Sequence, residues 1–492
     1  MKHTLKLGLC ALVSAGSLMS NDVSGSFFSV RPFTQNSHFA VQNAPVDQAR
    51  STGRALKMTS LQAIPFASSS TNAADLAQYF FFDGKKELIV KEALPTTDVM
   101  EFNQDVLAAD FNIATAGDAL HNAVTIKPQQ TVYGVALNAR RYFGEKLWIG
   151  VEAPLMHVKN NMNLKERVVE TSTLAAGAGI GGAALVGTMT DAFKQTAMEY
   201  GRIDGDKSKT RLADLTFKVG YDSPMLNRKD LYMTSFVGLI LPTGNKPKGI
   251  YMFEPICGNG GHAGIMLGNR GEIDIKDFKS GKFLMNWGVE SQYLFQNTQK
   301  RSFDLKLNGP WSRYLSMYKT TAALNAGGAA NATFGTNLLT LDSNVTPGYN
   351  GTVYSGLTYV NEKWHIAASY STHIRQAEQI ELASAWQHTQ ATIAAYGFTA
   401  GDSNRFRKTG KSFTGLDQPT IDTATPIKQS DIDLNSAAHR AAVSNTIALV
   451  GGMHHSCQNR PYLVEGGTSY EFSRQNTALN RWGMWLKVQG SF

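Results

Sequence analysis

Charge is scarce in this 492-residue chain: Asp, Glu, Lys and Arg together make up 17% of it. The basic residues are scattered, with nothing denser than Arg140-Arg141 or Lys300-Arg301. A nucleic-acid footprint of clustered Lys and Arg is therefore missing, and a net charge of +8 spread this thinly does not supply one. Cysteine is scarcer still. Of three, only Cys257 and Cys457 lie beyond the first twenty residues, which excludes a disulfide scaffold. Long apolar runs are absent too. The nearest, TSTLAAGAGIGGAALVGTMT at 171–190, is uncharged but built of Gly, Ala and Thr, with too little side-chain area for a membrane helix.

What the chain does have is glycine (45 residues), aromatics (25 Phe, 17 Tyr) and long stretches of strict alternation. In RWGMWLKVQGSF, 481–492, Trp482, Met484, Leu486, Val488, Gly490 and Phe492 fall on one side and Arg481, Gly483, Trp485, Lys487, Gln489 and Ser491 on the other. A period of two marks a strand with different solvents on its two faces. TVYSGLTYV-NEK-WHIAASYSTHIR (352–375) reads as a hairpin in which Val353, Leu357, Tyr359, Trp364, Ile366 and Tyr370 share a side. Phe217, Val219 and Tyr221 alternate with Thr216, Lys218 and Gly220, and Phe283, Met285 and Val289 oppose Asn286, Glu290 and Gln292. Several runs hold phase for nine to twelve residues, the length that crosses a bilayer at a tilt and more than a sandwich strand requires. Aromatics near the strand ends, Tyr359 with Trp364 and Trp482 with Phe492, suit an interfacial girdle. The N-terminus, MKHTLKLGLCALVSAGSLMS, has a basic start, an apolar stretch and then small residues, the pattern of a secretory signal peptide over 1–20.

With these residues in view, the chain resembles Gram-negative outer-membrane β-barrel, porin-like proteins. In that family the last strand ends in an aromatic residue preceded by alternate apolar ones, and the barrel assembly machinery reads it. Trp482, Met484, Leu486, Val488 and Phe492 match as this assembly signal, while Gly490 departs from it. Leu241-Pro242-Thr243-Gly244-Asn245 resembles a strand-end motif of some porin-like barrels. The resemblance implies export through the secretory pathway to the bacterial outer membrane, with lipid and lipopolysaccharide as surroundings.

The fold expected is all-β: a transmembrane antiparallel up-and-down barrel over 57–492, with long external loops carrying some helix, after a periplasmic N-terminal segment at 21–56. Strands are placed near 57–67, 130–141, 146–157, 211–222, 230–241, 282–296, 302–309, 351–360, 363–374, 441–452, 461–473 and 480–492, twelve in all. Fourteen is the alternative, with a hairpin inside 68–129. The links at 142–145, 223–229, 297–301, 361–362 and 453–460 then fall inside and the long ones, 68–129, 159–210, 242–281, 310–350 and 375–440, outside.

Motifs for chemistry are thin. Gly177-x-Gly179-x-x-Gly182 spells a dinucleotide fingerprint, but no apolar strand leads into it, and a loop that narrows the lumen is the structural alternative. Cys257 and His262 fall outside while His454, His455 and Cys457 fall at the periplasmic end, so they share no metal ion or disulfide. Ser371 and His373 lie about 6.6 Å apart along one strand, too far for a nucleophile and its base. No cofactor, metal or catalytic residue is therefore assigned, and an enzyme is not expected. What remains is the lumen, whose predicted lining mixes Arg140, Lys218, Lys306, His365, His373, Arg375, Arg481 and Lys487 with Glu152, Asp214, Glu290, Asp304, Glu465 and Glu471. Charges paired across the interior would fill the barrel, whereas charges on opposite walls would set up a transverse field that guides ions. Twelve strands give an intermediate bore. The function expected is a porin-like channel for passive diffusion of small hydrophilic solutes. The alternative is an adhesive or structural surface protein that acts through its loops. Solute and oligomeric state are not legible.

Overall fold

A computed structural model describes residues 24–35, 59–91, 105–113, 121–144, 146–170, 177–224, 231–394, 425–457, 460–473 and 479–491. Its main element is a sheet of long antiparallel strands: β1 (Thr59–Ser70), β2 (Gln129–Phe143), β3 (Leu147–Asn161), β4 (Leu215–Pro224), β5 (Leu231–Leu241), β6 (Gly264–Phe278), β7 (Gly281–Leu294), β8 (Gly348–Val360), β9 (Trp364–Arg375), β10 (Ala442–Cys457), β11 (Arg460–Ser473) and β12 (Arg481–Ser491). Each pairs with its neighbours in chain order, and β12 pairs with β1, from Ser60 opposite Ser491 to Ser70 opposite Arg481. The sheet thus closes on itself as a twelve-stranded barrel, which removes the unpaired edges that an open sheet leaves. A thirteenth strand, Lys207–Leu212, extends the sheet beside the end of β3.

The alternation read in the sequence maps onto the two faces. Along β12, Arg481, Gly483, Trp485, Lys487, Gln489 and Ser491 are buried, while Trp482, Met484, Leu486 and Val488 are exposed. The same holds for Phe217, Val219 and Tyr221 on β4 and for Leu357 and Ile366 on β8 and β9, all exposed. Phe492, the stretch 1–20 expected to be a signal peptide and residues 225–230 of the link expected inside lie outside the described residues.

One strand and one link differ from the expectation. The segment 302–309 is no barrel strand. Its Phe303 and Leu305 are buried in an apolar core built by the connections, and only Asp304–Leu305 pairs, with Ile432–Asp433. The link expected inside at 297–301 is part of a short strand, Asn297–Ser302, paired with Thr340–Thr346 on the other side of the barrel. In their place β6 crosses, joined to β7 by the tight turn at Lys279-Ser280. The alternative of fourteen strands is not met. The described parts of 68–129 fold into helix Ala73–Phe80 and a small sheet of Glu87–Lys91, Val106–Leu107 and His121–Thr125, which also takes up Lys165–Glu170.

The described parts of the long connections lie at one end and fold together into a cap with its own apolar cores. One gathers Phe80, Phe81, Phe111, Phe193, Trp311 and Tyr314. The Gly177–Gly182 stretch belongs here: Ile180 is buried in that core, and its N–H donates to Asn112 Oδ1 at 2.8 Å. Of the N-terminal segment 21–56, residues 24–35 are described, and they lie at the cap end of the lumen rather than beyond the short turns. Apolar packing holds them there. Phe33 stacks on Phe66 of β1 at 5.4 Å, and Ser24 Oγ donates to Asp304 Oδ2 in the cap at 2.9 Å.

Glycine at 483 makes room for that segment: a Cβ there would sit 2.2 Å from Phe33 Cε2. Gly483→Val is therefore expected to evict Phe33 and destabilise the barrel by about 1–3 kcal/mol. Urea unfolding in lipid vesicles measures the loss, and an unchanged midpoint would refute the packing described.

Candidate functional site

The candidate site is the lumen, and its geometry follows from strand parity. Residues directed inward on adjacent strands meet side by side, so opposite charges pair along the wall. Lys218 on β4 reaches Glu152 on β3 at 2.5 Å, Arg270 on β6 reaches Glu290 on β7 at 2.7 Å, and Lys487 on β12 reaches Glu465 on β11 at 3.4 Å. Glu465 also meets His365 Nε2 at 3.1 Å, and His365 Nδ1 lies 3.2 Å from His454 Nε2. Glu471 receives Arg481 Nε at 2.7 Å and Ser444 Oγ at 2.6 Å. These pairs run around the wall instead of across the bore, so they leave space at the centre. The exception is Arg31, which extends from the N-terminal segment to Glu471 at 3.0 Å.

Residues 27–35 divide the remaining space. On one side lies a chamber with about 1180 Å³ of free space, mouth included, lined by Gln62, Asn138, Arg140, Glu152, Asp214, Lys218, Arg270 and Glu290. On the other, beneath the cap, lies a chamber of about 760 Å³ lined by Arg31, Arg301, His373, Arg375, Glu378, Glu471 and Arg481. Pro32, Gln35 and Asn259 contribute to both.

Of the residues expected to line the lumen, Arg140, Glu152, Asp214, Lys218 and Glu290 lie on the larger chamber, His373, Arg375, Glu471 and Arg481 on the one beneath the cap, and His365, Glu465 and Lys487 are buried in the pairs described. Asp304 and Lys306 are corrections: Asp304 is buried in the cap against Arg313 at 2.8 Å, and Lys306 is exposed, with its Nζ donating to the Ser430 carbonyl at 2.7 Å. They went astray with strand 302–309, whose alternation serves the cap core. Arg31, Arg270, Arg301 and Glu378 were not legible. Arg270 sits on β6, whose alternation is broken, and the other three come from the N-terminal segment and the connections, to which no periodicity points. Ser371 and His373 are both buried, but His373 Nδ1 meets Thr352 Oγ1 at 2.9 Å. Cys257 is buried at the cap end, with its thiol pushed up to about 11 by burial.

At the cap end, Asp214 accepts from the Gly244 N–H at 3.2 Å and from the Asn259 N–H, and burial pushes its carboxyl up to about 6 against those donors. His262 donates Nδ1–H to the Phe295 carbonyl at 2.8 Å and accepts at Nε2 from Gln299 at 2.7 Å. Burial holds its pKa down to about 4. The folded chain keeps His262 neutral while the unfolded chain takes up a proton near 6.5, so its contribution is complete above that value and is lost as pH falls toward 4. His262→Gln is expected to shrink the difference in urea midpoint between about pH 7.5 and about pH 4.5. An unchanged difference would contradict it.

The outer surface decides the surroundings. Leu61, Leu137, Ile149, Val237, Leu267, Leu357, Ile366, Leu449 and Leu486 are exposed all round the barrel, an apolar belt far beyond what a soluble monomer shows to water. Aromatic bands bound it. Phe278, Phe283, Tyr359 and Trp364 touch in sequence at the short-turn end, and Phe295, Tyr293 and Tyr349 do so at the cap end. This is the architecture of an outer-membrane β-barrel.

Neither a protein-family model nor a curated protein matches the chain. Among solved structures, the barrel is similar to an outer membrane channel from Pseudomonas putida F1, at 9% identity and a TM-score of 0.37, covering 89% of this chain and 96% of that one. It is also similar to a Pseudomonas aeruginosa FadL homologue, at 9% and 0.27, covering 98% and 96%. A third is the Pseudomonas putida toluene transporter TodX, at 8% and 0.33, covering 96% and 97%. The likeness is one of overall barrel form.

Proposed function

We propose that the protein is a porin-like channel of the bacterial outer membrane through which small hydrophilic solutes diffuse passively, with the charged wall as its selectivity surface. The observation that carries this reading is the polar lining of two chambers on either side of residues 27–35, inside a barrel whose outer belt is apolar. Short turns at one end and long connections at the other set the orientation, with the cap outside the cell. Export through the secretory pathway, insertion by the barrel assembly machinery and contact with lipopolysaccharide follow from that placement.

Refolded protein in a planar bilayer is expected to give discrete conductance steps, small because residues 27–35 and the cap narrow the path. Deleting residues 21–35 is expected to raise the unit step about twofold or more, as the obstructed cross-section opens. Silence at high protein load, with and without the segment, would end the channel reading.

The cap's apolar cores favour a second reading, in which a folded external surface contacts other molecules. Binding to cells by the whole protein, lost when the cap connections are shortened, would support it in a protein that conducts nothing.

A further inference from the structure

The two chambers differ in charge balance. The larger one is lined by Arg140, Lys218 and Arg270 against Glu152, Asp214 and Glu290, equal numbers of each sign. The one beneath the cap is lined by Arg31, Arg301, Arg375 and Arg481 against only Glu378 and Glu471, so cations exceed carboxylates by two. Its histidines do not reverse this: burial holds His262 down to about 4 and His439 to about 3, and any imidazolium would only add positive charge.

The same guanidinium groups have donors to spare. Arg481 gives Nε to Glu471, yet its Nη1 and Nη2 are buried without a partner. Arg31 gives Nη2 to Glu471 and leaves Nε and Nη1 unpartnered, and Arg301 leaves Nε so. Asn259 Nδ2, at the edge of the same chamber, is unpartnered as well. Guanidinium offers only donors, so what would satisfy these atoms is an acceptor, and the surplus of positive charge selects an anion over water. Phe27, Phe28, Leu294 and Leu479 form an apolar side to the same chamber. The Arg301 guanidinium lies 3.2 Å from the Phe27 ring centroid, a stacking contact that leaves its edge to the Ala437 carbonyl, Gln299 Oε1 at 2.9 Å and Glu378 at 3.2 Å, with Nε alone unpartnered.

We infer that the chamber beneath the cap is a binding site for a small organic carboxylate, its oxygens held by Arg31 and Arg481 and its hydrocarbon part set against Phe27 and Phe28. A planar carboxylate matches the fork of a guanidinium, and a short apolar or aromatic tail matches the wall. The inference deepens the channel reading and rests on it for its purpose: such a site would make the conducting path prefer anions.

The test uses the full-length refolded protein in detergent and three probes of one shape, benzoate, benzamide and benzylamine, measured by equilibrium dialysis. Benzoate is expected to bind one per chain, and benzamide and benzylamine about tenfold more weakly or worse. Arg481→Gln is expected to weaken benzoate about tenfold and leave benzamide unchanged. Arg481→Lys, which keeps the charge beside Glu471, is expected to fall between and serves if Arg481→Gln fails to refold. Equal binding of benzoate and benzamide, or benzoate binding unaltered in both variants, would overturn the site. Conductance is read separately. A silent bilayer with benzoate binding intact would end the channel reading alone, whereas open channels without any benzoate preference would end this inference alone.

Discussion

Replacing Glu471 by alanine is expected to destabilise the barrel by about 3–5 kcal/mol, the range for removing one partner of a buried ion pair. Glu471 is buried among Arg31, Arg481 and Ser444, each within hydrogen-bond reach of a carboxylate oxygen. Without it, two guanidinium groups stay in the lumen with no carboxylate beside them, and relief comes only from water or from movement of the more mobile partner. That partner is Arg31, because Arg481 is fixed on β12 while Arg31 sits on a segment held otherwise by Phe33, Ser24 and backbone bonds to the cap. The substitution should therefore also loosen residues 27–35 and raise the conductance step. Glu471→Gln keeps an acceptor and loses the charge, so it should land between. Urea unfolding in vesicles gives the energy and planar bilayers give the step. A midpoint within about 0.5 kcal/mol of the parent would show that this ion triad holds nothing together.

The strands that read cleanly in the sequence are those whose inner face is mostly polar or small. β12 is the plainest case, and its parity holds along its length. β1 alternates poorly because Ile64 and Phe66 point inward to receive Phe33, so apolar residues stand on both faces. β5 is apolar on both faces for a related reason: Phe236 and Ile240 pack inside with Trp148 and Met266. β6 is not legible in the sequence because its outer face breaks the pattern. Asn269 is directed outward and donates to Ser235 at 2.8 Å, and Gly271 is required where the Trp287 indole covers it, 2.2 Å from where a Cβ would stand. A bulge between Asp274 and Lys276 then shifts its phase. Segment 302–309 misled in the opposite sense, since a strand half-buried in the cap alternates as well as one in a bilayer. The same logic governs the site. Wall residues such as Glu465, Lys487 and Arg481 follow from parity, but Arg31, Arg301 and Glu378 reach the lumen by tertiary paths that a period of two does not encode.

Placing a charge on the outer belt separates lipid from any other surroundings. Leu449 is central in β10, opposite Ala368 on β9 and Thr468 on β11, and 58% exposed. In water, arginine there would be tolerated and would shift stability by less than about 0.5 kcal/mol, as at most surface positions. In a bilayer the guanidinium must be buried in hydrocarbon or drawn toward an interface, so Leu449→Arg is expected to cost about 2–4 kcal/mol. Asn138→Arg is the control, because Asn138 lines the larger lumen chamber directly opposite Glu152 on β3, where a new cation meets a carboxylate and water. It should change stability by no more than about 1 kcal/mol. Both are measured by urea unfolding from vesicles, and the difference between them is the informative quantity. Equal costs would mean that the two faces of this sheet meet the same medium. A large cost at Leu449 alone requires hydrocarbon outside and water within, the condition on which a channel depends.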